Sequence, residues 1–192
     1  MTSFIFLAQG FEEVEALTVV DIMRRAGMAI RTVSISSDKT VTGAHGISVV
    51  ADLTFKEADF ENAEWLICPG GMPGAENLHN FGALNDLLKV HHMPPGKIAA
   101  ICAAPAVVLA PLGILDGIEA TCYPGFEDLC KKGGAKMVDK RVVVTENVIT
   151  SNGPSSAMAF ALAIVAHSMG DAHAREVAEG LLLYPAKAPM YF

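Results

Sequence analysis

The chain has 192 residues, 52% hydrophobic and only 18% charged, with a formal net charge of −7. That length suits one α/β domain over 1–192 with a generous core, and an acidic balance without a basic block argues against nucleic acid and against an anionic membrane surface. No apolar run reaches the ~18 residues of a spanning helix, and the opening MTSFIFLAQGFEE lacks the basic start of a signal peptide, so the expected compartment is the cytoplasm.

Ser3 to Ala8 reads as an apolar strand, followed by a turn at Gln9-Gly10. Glu12 to Ala26 reads as an amphipathic helix, because Val14, Leu17, Val20 and Met23 recur at helical spacing, with Gly27 as its C-terminal stop. Ala29 to Ile35 is a second strand, and Thr40 to Asp52 holds two short β segments around Gly43 and Gly46. Phe55 to Phe60 suggests a short helix. Trp65 to Cys68 is a buried strand that ends at Pro69-Gly70-Gly71. One helix is expected from about Ala75 to His91, broken by Pro94-Pro95-Gly96.

Lys97 to Leu109, KIAAICAAPAVVL, is the stretch around which the rest is organised. Ile98 to Ile101 is a strand that breaks at Cys102 into a helix start of small residues. A strand that turns sharply into a helix exposes its central side chain and crowds the positions two before and two after it. Those positions are Ala100 and Ala104, both small, as a nucleophile elbow requires. Pro105 suits a first helical turn. A cysteine at the positive end of a helix is expected to favour thiolate.

Beyond the elbow, the helix ends near Leu112-Gly113. Ile118 to Thr121 is a short strand, Gly125 to Lys131 a short helix, and Arg141 to Thr145 pairs with Val148 to Thr150. Ser151-Asn152-Gly153-Pro154 leads into a long helix to Met169, and Gly170-Asp171 opens a last one to about Leu183. The apolar tail YPAKAPMYF is expected to pack on the body or on a partner. Strand–helix alternation with unbroken apolar strands predicts a mostly parallel sheet covered on both faces.

Sites in such sheets form outside the carboxyl ends of the strands. Four strand ends carry unusual residues: the Gln9 to Glu15 loop, Pro69-Gly70-Gly71, Cys102, and Ser151 to Pro154. A thiolate attacking a carbonyl needs donors for the developing oxyanion, and Gly71 N–H and Ala103 N–H are the candidates. A carboxyl near the thiol can move the proton. Glu12, Glu13 and Glu15 are all at the right end of the first strand, and position alone does not choose among them.

The four cysteines, Cys68, Cys102, Cys122 and Cys130, form no CxxC pair, so neither a zinc site nor a redox dithiol is suggested, and free thiols are expected. Cys68 reads as strand packing. His91 and His92 end a helix, where a cation suits the dipole, and His167 and His173 are expected at the surface. No histidine spacing suggests a metal site.

Five segments together resemble the ThiJ/PfpI superfamily, in the branch that contains the parkinsonism-associated protein deglycase and its bacterial relatives. They are AQGFEEVEA (Ala8 to Ala16), DIMRRAG (Asp21 to Gly27), PGGMPGAENL (Pro69 to Leu78), AAICAAPAVVLA (Ala99 to Ala110) and TSNGPSSAMAFALAIV (Thr150 to Val165), in the family's order along nearly the whole chain. The resemblance implies a flavodoxin-like three-layer sandwich that forms a homodimer. It implies a cofactor-free cysteine site with Cys102 as nucleophile and redox-sensitive thiol. It selects Glu15 as the carboxyl partner and supports Gly71 and Ala103 as oxyanion donors, with Gly70, Tyr123 and Pro154 nearby. The implied substrates are small reactive carbonyls or glycated proteins and thiols, in glyoxalase or deglycase chemistry. The alternative is an oxidative-stress sensor or redox-regulated chaperone working through Cys102 oxidation.

The chain departs from the family pattern at informative places. Tyr123 stands where members often place a histidine near the nucleophile, and His45 where close relatives often carry arginine at the dimer seam. Ala103, in place of histidine, argues against the intracellular proteases, and the lack of a late His-x-Glu argues against glutaminase.

Overall fold

The computed structural model describes residues 1–183, so the expected packing of the tail lies outside the described residues. β1 (Thr2–Leu7) leads into α1 (Glu13–Arg25) and β2 (Ile30–Ser34). A hairpin of β3 (Thr40–Thr42) and β4 (Ser48–Val50) precedes β5 (Leu53–Thr54) and β6 (Ala63–Cys68). Next come α2 (Gly74–His79), α3 (Gly82–His91) and β7 (Lys97–Ile101). β8 (Glu119–Ala120), α4 (Glu127–Lys132) and β9 (Lys136–Met137) follow the elbow, then β10 (Val142–Val144), β11 (Val148–Ser151), α5 (Ala157–Met169) and α6 (Asp171–Gly180).

Seven strands form one sheet in the order β10-β11-β7-β6-β1-β2-β5, parallel throughout except for β10 against β11. Alternate residues of each strand serve opposite faces. Ile5, Leu7, Trp65, Ile67 and Ile101 pack with α1, α5 and α6. Phe4, Phe6, Leu66, Ile98 and Ala100 pack with α2, α3, α4 and the elbow segment. The expected three-layer flavodoxin-like sandwich is therefore observed. Trp65 is buried in the centre, and its Nε1–H donates to Ser168 Oγ at 2.8 Å.

Several local expectations fail for physical reasons. Residues 55–57 form a turn and 58–60 run on irregularly, because the Phe55 and Phe60 rings meet at a tilt with centroids 5.0 Å apart and Phe60 meets Phe4 edge-on at 4.9 Å, contacts a helix would separate. The single helix from Ala75 splits into α2 and α3, since Phe81 is extended and turns its ring onto Phe55 at 4.9 Å. α1 buries a different stripe from the one expected. Val20 and Met23 are buried, but Val14 and Leu17 are 52% and 39% exposed, while Glu15, Ala16, Val19 and Ile22 face inward. Its end does behave as read: Gly27 at φ +76 donates to Arg24 C=O and Met28 N–H to Met23 C=O, a Schellman closure.

The histidines also differ. Burial lowers the pKa of His91 and His92, so they are not the cations expected at the end of α3. His167 sits edge-on to Trp65 at 5.2 Å, and His173 bonds Ala26 C=O at 2.9 Å, so neither is simply a surface residue.

Candidate active site

β7 stops at Ile101 because Cys102 takes φ +65, a left-handed conformation that costs a non-glycine residue about 1–2 kcal/mol. The fold holds it there from both sides. Cys102 N–H donates to Ser151 C=O at 2.9 Å, and Cys102 C=O accepts from Tyr123 N–H at 2.8 Å. Ala100 and Ala104 are fully buried, leaving no space for larger flanking side chains. Cys102 keeps 8% of its surface exposed at the carboxyl edge of the sheet.

The Glu15 carboxyl reaches this thiol from the first turn of α1. Gly70 N–H donates to Glu15 Oε2 at 2.8 Å. Gly70 stands where the two side chains meet: a Cβ there would lie 2.6 Å from Cys102 Cβ, 2.8 Å from Glu15 Oε2 and 3.0 Å from Cys102 Sγ. The Cys102 thiol and this carboxyl therefore crowd the same point above Gly70, and Glu15 Oε1 is buried with no hydrogen-bond partner. Burial is the largest cause lifting the Glu15 carboxyl to about 7, with the Glu12 charge adding to it and the Cys102 and Gly70 hydrogen bonds opposing it.

The thiol departs from the expectation of an easily formed thiolate. Cys102 is pushed up to about 12, first by burial and then by the charge and hydrogen bond of Glu15. Gly71 N–H and Ala103 N–H, both directed at the sulfur, pull the other way. No long α-helix supplies a dipole: a five-residue π-type turn, Pro105–Leu109, is followed by a single 3-10 turn, Ala110–Leu112. The carboxyl and the sulfur therefore hold at most one negative charge between them, since both cannot ionise side by side in a buried site.

The three carboxyls of the first loop are sorted by geometry. Glu13 turns to the β3–β4 hairpin, accepting from His45 N–H at 2.8 Å and lying 2.9 Å from His45 Nδ1. Glu12 N–H donates to Gly70 C=O at 3.0 Å, which ties the loop to the Gly-Gly turn. Only Glu15 faces the sulfur. Gly71, at φ +85, admits no side chain, since a Cβ would meet Glu12 N at 2.4 Å. Glu12, Glu13 and His45 place one possible ligand atom each within 4.8 Å of one another. His45 already bonds Glu13, and its Nδ1 lies 3.6 Å from Glu12.

Tyr123 is 44% exposed, and its ring lies beside Gly153 and edge-on to Phe126 at 6.4 Å. Pro154 is exposed at the start of a 3-10 turn, and it is the preceding Gly153 that meets Tyr123. Cys68 is fully buried, and its thiol is pushed up to about 12 by that burial, in keeping with a packing role. What the sequence reading missed is Cys122, whose position follows from the hydrogen bond between Tyr123 and Cys102. The adjacent numbering of Cys122 and Tyr123 was the available signal.

The DJ-1/PfpI family model matches residues 1–167. The chain belongs to the DJ-1/PfpI family. Among DJ-1 relatives, Protein DJ-1 homolog A of Arabidopsis thaliana is 33% identical over 184 residues, covering 96% of this chain but 47% of that protein, so the chain spans less than half of it. Glutathione-independent glyoxalase DJR-1.2 of Caenorhabditis elegans is 37% identical over 157 residues, covering 80% of this chain and 81% of that one. The structure of oxidized Toxoplasma gondii DJ-1 superposes with a TM-score of 0.89 at 36% identity, over 94% of this chain and 97% of that one.

Proposed function

We propose that this DJ-1/PfpI protein is a cofactor-free, cysteine-dependent enzyme acting on small reactive carbonyls, of which methylglyoxal is the type. The observation that carries the reading is the buried Glu15 carboxyl set against the Cys102 thiol and lifted to about 7. A general acid–base group is most effective when its pKa lies near the working pH. The name of the Caenorhabditis elegans relative, a glyoxalase that needs no glutathione, supports the same class of reaction.

Ionised Glu15 takes the Cys102 proton as the sulfur adds to the aldehyde carbon, and the carbonyl oxygen collects the developing charge beside Gly71 N–H and Ala103 N–H. The oxygen is then protonated, giving a hemithioacetal. Glu15 removes the proton on the former aldehyde carbon and returns it to the neighbouring carbon, while the hydroxyl proton passes to the neighbouring ketone oxygen, leaving a thioester on Cys102. Water cleaves the thioester, releasing lactate and restoring the thiol. The sum is methylglyoxal plus water to lactate. Glu15 serves as both base and acid, since no histidine stands at the position of Tyr123. Adducts of the same aldehyde on thiols and amines offer the same carbon to the sulfur, so glycated thiols and proteins belong to this substrate class.

The unpartnered Glu15 Oε1 and the two backbone donors also suit an oxidised sulfur, so Cys102 oxidation is the second reading. A homodimer belongs to the proposal as well. Val14 and Leu17 on α1 and Ile47 and Val50 around the hairpin are exposed apolar residues, and Ile47 N–H reaches Glu13 at 3.4 Å, which joins the two groups into one face. A second copy covering that face fits its chemistry. The cytoplasm is the proposed compartment; among the described residues no helix is long and apolar enough to cross a membrane.

The test is lactate formation from methylglyoxal by purified protein. Cys102→Ala is expected to abolish it, and Glu15→Gln to lower it by about 10²–10⁴-fold. Equal rates in wild type and Cys102→Ala would remove the mechanism.

A further inference from the structure

Glu13 is a buried carboxylate without a permanent cation. It is only 4% exposed. Among the described residues, the ion-pair partner of both Glu12 and Glu13 is His45 alone, and an imidazole carries charge only when protonated. A buried ion that lacks a fixed partner of opposite sign is costly, so this position calls for a cation. Backbone groups aim the carboxylate. Its Oε1 accepts from His45 N–H at 2.8 Å and from Ile47 N–H at 3.4 Å, which leaves Oε2 directed at His45 Nδ1, 2.9 Å away. That same Nδ1 lies 3.6 Å from Glu12 Oε2.

We propose that Glu12, Glu13 and His45 form a binding site for a divalent transition-metal cation, of which zinc is the type, at the joint between α1 and the β3–β4 hairpin. One ligand atom from each residue falls within 4.8 Å of the other two. Around a tetrahedral zinc with bonds of about 2.0–2.1 Å, neighbouring ligand atoms stand about 3.3 Å apart. The spacings of 2.9 and 3.6 Å at His45 Nδ1 straddle that edge length. The imidazole is 68% exposed, so a cation reaches it from solvent and the ring shifts by a few tenths of an ångström at little cost. Two carboxylate oxygens with one imidazole nitrogen suit zinc and its first-row neighbours. Calcium and magnesium ask for a fuller shell of oxygens than these residues offer.

The surroundings hold the three residues in place. Ala44 N–H donates to Phe11 C=O at 2.8 Å and Gly43 N–H to Ile47 C=O at 2.9 Å, which docks the turn carrying His45 on the loop that leads to Glu12 and Glu13. A Cβ on Gly43 would strike the Glu13 carboxyl, so only a glycine leaves the carboxyl its place. When the cation binds, Nδ1 gives it a lone pair, any proton there passes to solvent, and water takes the fourth position. The cation thereby ties the start of α1 to the hairpin. It stays outside the Cys102 chemistry, because Glu13 and Glu15 are two apart on a helix and face opposite ways.

The experiment titrates zinc chloride into full-length, chelator-treated protein by calorimetry. One equivalent per chain at micromolar affinity is expected, and Cys102→Ser is expected to bind equally, because no sulfur belongs to the set. His45→Gln and Glu13→Gln should each weaken binding by at least about tenfold. Cobalt(II) in place of zinc should give the visible absorption of a tetrahedral site without a thiolate charge-transfer band. Absence of micromolar binding overturns the proposal. So does a thiolate band, or binding that survives His45→Gln in protein folded by circular dichroism, since either places the metal elsewhere. Should Glu13→Gln fail to fold, the exposed His45 decides alone. Calorimetry needs no turnover and Cys102→Ser is expected to make no lactate, so failure of the carbonyl reading leaves this result standing.

Discussion

Glu15→Gln is expected to stabilise the protein at neutral pH while removing its chemistry. The carboxyl is fully buried, and its pKa is raised from an ordinary 4.5 to about 7. At about 1.4 kcal/mol per pH unit, that places ~3 kcal/mol against the charged form in the folded state. Between pH 4.5 and about 7 the folded chain binds a proton that the unfolded chain has released, so stability falls as pH rises through this window. Below it the contribution is fully retained, and above it fully lost. Glutamine keeps an acceptor for Gly70 N–H and never ionises, so its advantage over wild type should grow by ~3 kcal/mol from pH 4.5 to 8. In a chain of this size that corresponds to about 6–12 °C in Tm. Asp52, held low because the Thr32 hydrogen bonds and Arg24 outweigh its burial, contributes the opposite slope at lower pH but does so equally in both proteins. The assay is thermal unfolding of wild type and Glu15→Gln from pH 4.5 to 8.5. A Tm difference that stays constant across that range would refute the assignment of a buried, ionising carboxyl.

The same variant should lower the pH midpoint of Cys102 alkylation, because the Glu15 charge that raises the thiol is gone; an unchanged midpoint would mean that burial alone sets it. Gly70→Ala places a Cβ 2.6 Å from Cys102 Cβ and 2.8 Å from Glu15 Oε2, so it should destabilise by about 1–3 kcal/mol in urea unfolding and abolish lactate formation. Trp65→Phe leaves Ser168 Oγ without its 2.8 Å donor and should lower stability by about 1–2 kcal/mol with little effect on catalysis. Leu17→Glu, on the exposed apolar face of α1, should shift the sedimenting species from dimer toward monomer; a wild type that sediments as a monomer at micromolar concentration would remove the dimer from the proposal.

Much of the fold was legible because its signals are local. Apolar runs such as Trp65–Cys68 and Ile98–Ile101 have little choice but to become buried strands, and Gly27 ends α1 by chemistry within a few residues of itself. The elbow could be read from the small residues around Cys102 for the same reason. The errors fall where distant contacts decide. Phe81 breaks a helix to reach Phe55, and α1 turns Val14 and Leu17 outward because the sheet edge accepts Glu15.

By itself the sequence determined the succession of strands and helices, the place of Cys102 at the elbow and the small residues and glycines around it, since steric demand is written in residue size. It also placed three carboxyls in one loop, which position alone left equivalent and among which only the family resemblance singled out Glu15. Tertiary structure alone assigned Glu13 to His45, and it gave the physical reason for setting Glu15 beside Cys102, because where each carboxyl points depends on how α1 rotates against the sheet. It alone reversed the expected acidity of the thiol, because desolvation and a neighbouring charge act through space, and neither is encoded in the few residues on either side of Cys102.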